Sequence, residues 1–152
     1  MIVLPLIIRR YELRDYWDLL EIEKEAFPTH NPARELMMYL TYSSDVLVAD
    51  LGGKVVGYIA ISELGRDAKI ISFAVKKEFR RKGIGTKLLD TAINICKEKG
   101  KEKLFLEVRV SNIPAQSLYK KKGFKVVKII PNYYSDGESA YLMVLDLSTN
   151  NV

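Results

Sequence analysis

Six residues, Arg80-Arg81-Lys82-Gly83-Ile84-Gly85, carry the first chemistry that can be read from the chain. They lie between an apolar run, Ile70-Ile71-Ser72-Phe73-Ala74-Val75, and a helical pattern that begins directly after them. A strand, a glycine-containing turn and a helix N-terminus together make an anion site. The N–H groups of the first helical turn lack intrahelical acceptors, and the helix dipole adds partial positive charge. Gly83 and Gly85 leave out the Cβ atoms that would keep a phosphate at a distance, and Arg80, Arg81 and Lys82 add full charges. The stretch is predicted to cradle a phosphate. It is not a Walker A loop, because no glycine stands at the required spacing before Gly85-Thr86-Lys87. Nor is it a Rossmann loop, because Leu88 occupies the place of the third glycine. A protein-kinase loop would need catalytic partners for which 152 residues leave no room.

Glu107 is the second candidate. In Leu104-Phe105-Leu106-Glu107-Val108-Arg109-Val110 the alternation puts Leu104, Leu106, Val108 and Val110 on one face and Phe105, Glu107 and Arg109 on the other. A carboxylate in so apolar a strand pays desolvation unless it is paired or put to use. An ion pair with Arg109 and a proton-accepting role are both open at this point. His30 is the only histidine, which excludes HExxH metal sites and histidine-based triads.

The elements that position these residues follow from pattern and punctuation. At 152 residues the chain is expected to form one domain, spanning 1–152, and to bury about two thirds of its unfolded surface. A first strand is predicted over 2–10, with Pro5 pointing to an edge or irregular start. Asp15 is placed as the N-cap of a helix to Ala26 that Phe27-Pro28 ends, and Asn31-Pro32 opens a second helix to Tyr42. Strands over 46–51 and 54–62 flank Gly52-Gly53, a hairpin signal, and a third covers 68–75. A helix over 85–99 presents Leu88, Leu89, Ala92, Ile95 and Cys96 as an apolar stripe, which makes Cys96 a core residue, and Gly100 stops it. A strand over 103–110, a helix capped by Ser111-Asn112 that runs to Lys122, and strands over 124–130 and 140–147 complete a mixed α/β fold.

Composition narrows the classes. Hydrophobic content of 48% and charged content of 28% fit a globular protein, and no apolar stretch approaches the ~20 residues a membrane span needs. The apolar N-terminus lacks the basic residues and cleavage site of a signal peptide. A single cysteine suits a reducing compartment, so a cytoplasmic location is expected. The net charge of +5 favours an anionic partner. It concentrates between Lys76 and Lys87 and at Lys120-Lys121-Lys122, where a solvated face is the plainer explanation.

The order Val75-x-x-x-Phe79-Arg80-Arg81-Lys82-Gly83-Ile84-Gly85-x-x-Leu88-Leu89, Leu106-Glu107-Val108-Arg109-Val110-Ser111-Asn112, then Ser117-Leu118-Tyr119-x-x-x-Gly123-Phe124 resembles the GNAT acetyltransferases. Asn132-Tyr133-Tyr134 and Ala26-Phe27-Pro28 extend the resemblance to the RimI/Ard1 group of protein N-terminal acetyltransferases. The resemblance implies the GNAT fold, a mostly antiparallel sheet of about seven strands flanked by about four helices. It implies acetyl-CoA as cosubstrate and no metal. Its pyrophosphate would rest on backbone N–H groups among Arg80, Arg81, Lys82, Gly83, Ile84, Gly85 and Thr86. Its pantetheine would pair with Phe73, Ala74 and Val75, as open strand edges allow, with Asn112, Ser117 and Tyr119 toward the thioester.

Acetyl transfer to an amine poses three tasks. The amine must lose a proton, the carbonyl oxygen must be stabilised, and the leaving thiolate must be protonated. The resemblance assigns the first to Glu107 through a water, the second to the N–H near Ala74 or Val75, and the third to Tyr119, otherwise an aromatic packed on the sheet. Phe27, Pro28, Tyr133 and Tyr134 would flank a peptide N-terminus; otherwise they are a helix stop and a strand end. The expected partner is a protein or peptide N-terminus, from a ribosomal protein or nascent chains, with no membrane and no nucleic acid. Protein lysines or a small amine are the alternative acceptors. A non-catalytic CoA sensor or nucleic-acid binder is the alternative of another class, although the strands lack the interleaved aromatic and basic residues of a single-strand platform.

Overall fold

The structure is a computed structural model that describes residues 4–28 and 31–148. The described strands are β1 (Leu6–Arg10), β2 (Asp45–Leu51), β3 (Lys54–Leu64), β4 (Asp67–Val75), β5 (Lys103–Arg109), β6 (Lys125–Ile130) and β7 (Ala140–Asp146). The helices are α1 (Tyr16–Ala26), α2 (Pro32–Tyr42), α3 (Ile84–Glu98) and α4 (Ile113–Lys121). This is the predicted order of elements, with 3-10 turns added at Leu13–Asp15 and Lys77–Phe79. The strands form one sheet in the order β1-β2-β3-β4-β5-β7-β6. β1–β2, β2–β3, β5–β7 and β6–β7 pair antiparallel, and β4–β5 pair parallel at Ala68↔Leu104 and Lys69↔Phe105.

Two local readings needed correction. Leu4 and Pro5 lie outside the first strand, which runs Leu6–Arg10, since Pro5 brings no N–H to a ladder; residues 2 and 3 of the expected strand lie outside the described residues. Asp15 stands at the α1 N-cap but its side chain makes no cap bond. Both carboxylate oxygens accept from the Arg9 guanidinium at 2.8 Å, and the Glu12 N–H donates to one of them. A bidentate charged pair outcompetes a single cap bond. Asn31 does cap α2, accepting from the Arg34 N–H at 3.2 Å.

The chain divides into two compact units, Met1–Glu63 with Ile70–Asn94, and Leu64–Lys69 with Ile95–Val152. The core of the first gathers Leu19 and Ile22 of α1, Leu36 of α2, Val48, Val55, Tyr58 and Ala74. Each large aliphatic side chain so buried contributes about 1.5–3 kcal/mol. Gly57 on β3 is required there: a Cβ would meet the Ala74 carbonyl oxygen and Leu88 Cδ1, both at 3.1 Å. In the second unit β5 alternates as predicted, with Leu104, Leu106 and Val108 buried and Phe105, Glu107 and Arg109 on the half-buried face. Cys96, on the α3 stripe, is buried as expected.

Candidate active site

The candidate anion site lies in the first unit. β4 ends with Ala74 buried and Phe73 and Val75 half-buried. Arg80 folds back so that its Nε donates to the Val75 carbonyl at 2.9 Å, and the Lys82 ammonium lies 5.6 Å from the Phe79 ring centre. Gly83 adopts φ +82°, and a Cβ there would meet nothing within 4 Å. α3 begins at Ile84, and its first bond runs from the Lys87 N–H to the Gly83 carbonyl at 3.1 Å. The N–H groups of Ile84, Gly85 and Thr86 therefore belong to the first turn and have no intrahelical acceptor. Open space beside a left-handed glycine, free N–H groups and exposed Arg81 and Lys82 fit a phosphate. Helix α1 pins the approach to this turn. Glu21 takes the Lys76 ammonium at 2.7 Å, and Glu25 accepts the Lys77 N–H at 2.5 Å.

The candidate acid–base residues lie in the second unit. Glu107 on β5 has a side chain only 7% exposed, and its Oε1 lies 2.5 Å from the Lys69 ammonium of β4. The Tyr133 hydroxyl donates to the same Oε1, and Oε2 is buried without a hydrogen-bond partner. The ion pair of Glu107 with Arg109 that the sequence left open is replaced by one with Lys69. Arg109 instead binds Asp136 at 2.9 Å and Glu138 at 2.8 Å and stacks 4.0 Å above the Tyr134 ring. Glu138 also accepts the Ser111 N–H at 2.9 Å, and its main-chain carbonyl accepts the N–H groups of Tyr133 and Tyr134. The Ser111 bond and the Arg109 guanidinium hold the Glu138 carboxyl below the usual range. Tyr133 and Tyr134 meet edge to face at 5.0 Å, one directed to Glu107 and the other to Arg109.

Tyr119 is buried on α4, its ring 5.7 Å from that of Phe124. Burial raises its hydroxyl far above the ordinary tyrosine range, so it keeps its proton. Burial likewise pushes Tyr134 up to about 12. Asn112 is the α4 N-cap and accepts from the Ala115 N–H at 3.2 Å, while Ser117 is exposed. In the first unit Phe27 is half-buried against the core, its N–H bonded to the Glu23 carbonyl, and Pro28 is exposed. His30 lies outside the described residues. Glu107 and Tyr133, singled out separately in the sequence, are in hydrogen-bond contact. Lys69, Asp136 and Glu138 were not foreseen. The signal for Lys69 is the one that exposed Glu107: a charge on a strand face shared with Ile71 and Phe73.

Comparison with known proteins decides the family. The profile of the acetyltransferase (GNAT) family matches residues 13–124. The chain belongs to this family. It is an N-acetyltransferase with the GNAT fold. An N-alpha-acetyltransferase of Sulfurisphaera tokodaii is 40% identical over 154 residues, covering 92% of each chain. The crystal structure of Ard1 from Thermoplasma volcanium superposes with a TM-score of 0.85 at 34% identity, over 93% of this GNAT chain and 97% of that one. The ribosomal-protein-S18-alanine N-acetyltransferase of Escherichia coli gives a TM-score of 0.83 at 28% identity, over 97% and 99%. Among the described residues no group of three or more His, Cys, Asp or Glu is placed to hold a metal ion, and no helix is long and apolar enough to cross a membrane.

Proposed function

We propose that this chain transfers the acetyl group of acetyl-CoA to the α-amino group of protein or peptide N-termini, by direct attack with both substrates bound. The observation that carries the reading is the contact of Tyr133 with Glu107. It joins the Asn132-Tyr133-Tyr134 run to the carboxylate proposed to accept the proton. The likeness to proteins named N-alpha-acetyltransferase and to the Escherichia coli S18-alanine enzyme supports the same acceptor class.

Acetyl-CoA would supply the activated acetyl thioester. Arg80 to Thr86 would hold its pyrophosphate, Phe73 to Val75 its pantetheine, and Asn112 and Ser117 would lie toward the reacting end. Glu107 takes the proton of the attacking amine through a water, while Lys69 and Tyr133 both hold its Oε1 and leave Oε2 without a hydrogen-bond partner. Lys69 is a positioning residue that holds the Glu107 carboxylate through the ion pair at 2.5 Å. An α-amine, with a pKa near 7.7–8.0, yields its proton to such a base far more readily than a lysine at about 10.4. Tyr119 retains its proton at all ordinary pH and donates it to the departing sulfur. Phe27, Pro28, Tyr133 and Tyr134 contact the first residues of the acceptor, whose natural source would be a ribosomal protein or a nascent chain.

The test is release of CoA thiol with two lysine-containing peptides that differ only in whether the α-amine is free or blocked. Release with the free peptide alone is expected. Equal release with both would move the acceptor to lysine.

A further inference from the structure

Tyr133 and Tyr134 belong to neither flanking strand; they lie in the connection 131–139 between β6 and β7. Asn132 turns the chain there at a left-handed φ of 51°, a conformation that asparagine tolerates better than most residues. The Tyr134 carbonyl accepts the Gly137 N–H at 2.9 Å and closes a β-turn. Connections shaped by so few local bonds sit at the low end of local stability. A loop that has to deliver a hydroxyl to Glu107 therefore needs an anchor outside itself.

Glu138 grips that loop with its main chain and the sheet with its side chain. Its main-chain carbonyl accepts the N–H groups of Tyr133 at 3.1 Å and of Tyr134 at 3.0 Å. Its carboxylate reaches the other way: Oε1 accepts from the Arg109 guanidinium of β5 at 2.8 Å, and Oε2 accepts the Ser111 N–H at 2.9 Å. Both oxygens are thus taken up at the end of β5, in bonds that a charged acceptor strengthens. Asp136 reinforces the grip, accepting the Glu138 N–H at 3.0 Å and sharing Arg109 at 2.9 Å, while Arg109 also covers the Tyr134 ring at 4.0 Å. Arg109 stands two residues beyond Glu107 on the same face of the same strand. The carboxylate therefore fixes Glu138 relative to the strand that carries Glu107, and the carbonyl fixes the two tyrosines relative to Glu138. The outcome is the Tyr133 hydroxyl bonded to Glu107 Oε1.

We propose that Glu138 is a positioning residue for the acceptor: its carboxylate, held by Arg109 and Ser111, sets the tyrosine loop so that Tyr133 meets Glu107. This rests on the reading that Tyr133 and Tyr134 contact the acceptor. Glu138 touches neither substrate and acts wholly through the two tyrosines. Removing its side chain unties the loop from β5 and leaves the Gly83 turn and α3 as they are. Misplacing a positioned group by about 1 Å costs on the order of 100-fold in rate. Asp136 still reaches Arg109 when the Glu138 side chain is gone, so a smaller loss, about tenfold, is expected.

A double-mutant cycle of E138A with Y133F, measured by steady-state kinetics on a peptide with a free α-amine and by calorimetry of acetyl-CoA, tests this. E138A is expected to lose about tenfold in acceptor kcat/KM while its acetyl-CoA Kd stays within about twofold of the wild type. Y133F should lower acceptor kcat/KM in the wild type, yet cost less than about twofold more in E138A, where the tyrosine is already displaced. E138Q keeps one of the two acceptor oxygens, should lose less than E138A, and carries the same cycle if E138A fails to fold. Wild-type acceptor kcat/KM in E138A, or in E138Q where that variant carries the cycle, would overturn the proposal. So would a full, additive cost of Y133F on top of either variant, or no cost of Y133F in the wild type. Acetyl-CoA affinity that falls in step with acceptor kcat/KM would make Glu138 a support of the fold at large, and would overturn it too. A wild type that transfers acetyl to no free α-amine would instead overturn the acceptor reading, and the proposal with it.

Discussion

Replacing Glu23 by glutamine is expected to stabilise the protein in mildly alkaline solution and to change it little in acid. The carboxyl is shifted from an ordinary value near 4.5 to about 7 by burial. The folded state therefore prefers the protonated form more strongly than the unfolded chain does. The associated stability is fully present below the unfolded value and is lost as pH rises through the folded one. A rise from near 4.5 to about 7 corresponds to a loss of about 3 kcal/mol between pH 4 and pH 8. Glutamine does not ionise and escapes that loss, whatever constant offset it introduces by exchanging an acid hydroxyl for an amide. Guanidinium denaturation of both proteins at pH 5 and pH 8 isolates the pH-dependent part. E23Q should gain about 2–3 kcal/mol on the wild type between the two conditions, the lower bound allowing for relaxation of the ionised core. An unchanged difference in stability at the two pH values would show that Glu23 is not the neutral, buried acid inferred from its surroundings.

Glu107→Gln should lower turnover about 100-fold or more, the usual reach of a general base, with acetyl-CoA affinity retained; steady-state kinetics beside cofactor calorimetry would check the split, and wild-type turnover would leave Glu107 a structural role. Lys69→Met removes the cation at 2.5 Å from Glu107 and should reduce kcat about tenfold with little change in acceptor KM, and Lys69→Arg should recover most of it. Gly83→Val places a branched side chain in the open space beside the first turn of α3, at a φ of +82° that it adopts with strain. Acetyl-CoA affinity should fall at least about tenfold, and unchanged affinity in a folded variant would refute the phosphate cradle.

What the sequence disclosed and what it withheld divide along physical lines. Elements bounded by strong local signals emerged within a residue or two: Gly52-Gly53 at the hairpin, Asn31-Pro32 opening α2, Asn112 opening α4, and the α3 stripe running into Gly100. The cradle was legible because glycine spacing, basic charge and a strand-to-helix transition are all contiguous in the chain. Pairings that depend on which strands become neighbours were not. Lys69 and Glu107 are far apart in sequence, and only the parallel pairing of β4 with β5 brings them together. The same holds for Arg109, whose partners Asp136 and Glu138 follow β6 in a loop with no periodicity to read. Asp15 was misjudged as a side-chain cap because a competing Arg9 on another element leaves no local trace. Glu23 was passed over as one more charge on α1. Its position beside Ile22 on the apolar face was the available hint, and only the fold supplies Tyr58, Ser72 and Tyr39 as its company.

The central claim is that acetyl is delivered to α-amines. A library of peptides with varied first residues and an internal lysine, incubated with acetyl-CoA and the protein, tests it directly when fragment-ion mass spectrometry locates the added group. Acetyl on the N-terminal nitrogen of a subset of sequences is the expected result. Acetyl confined to lysine side chains, with every N-terminal nitrogen free, would contradict it.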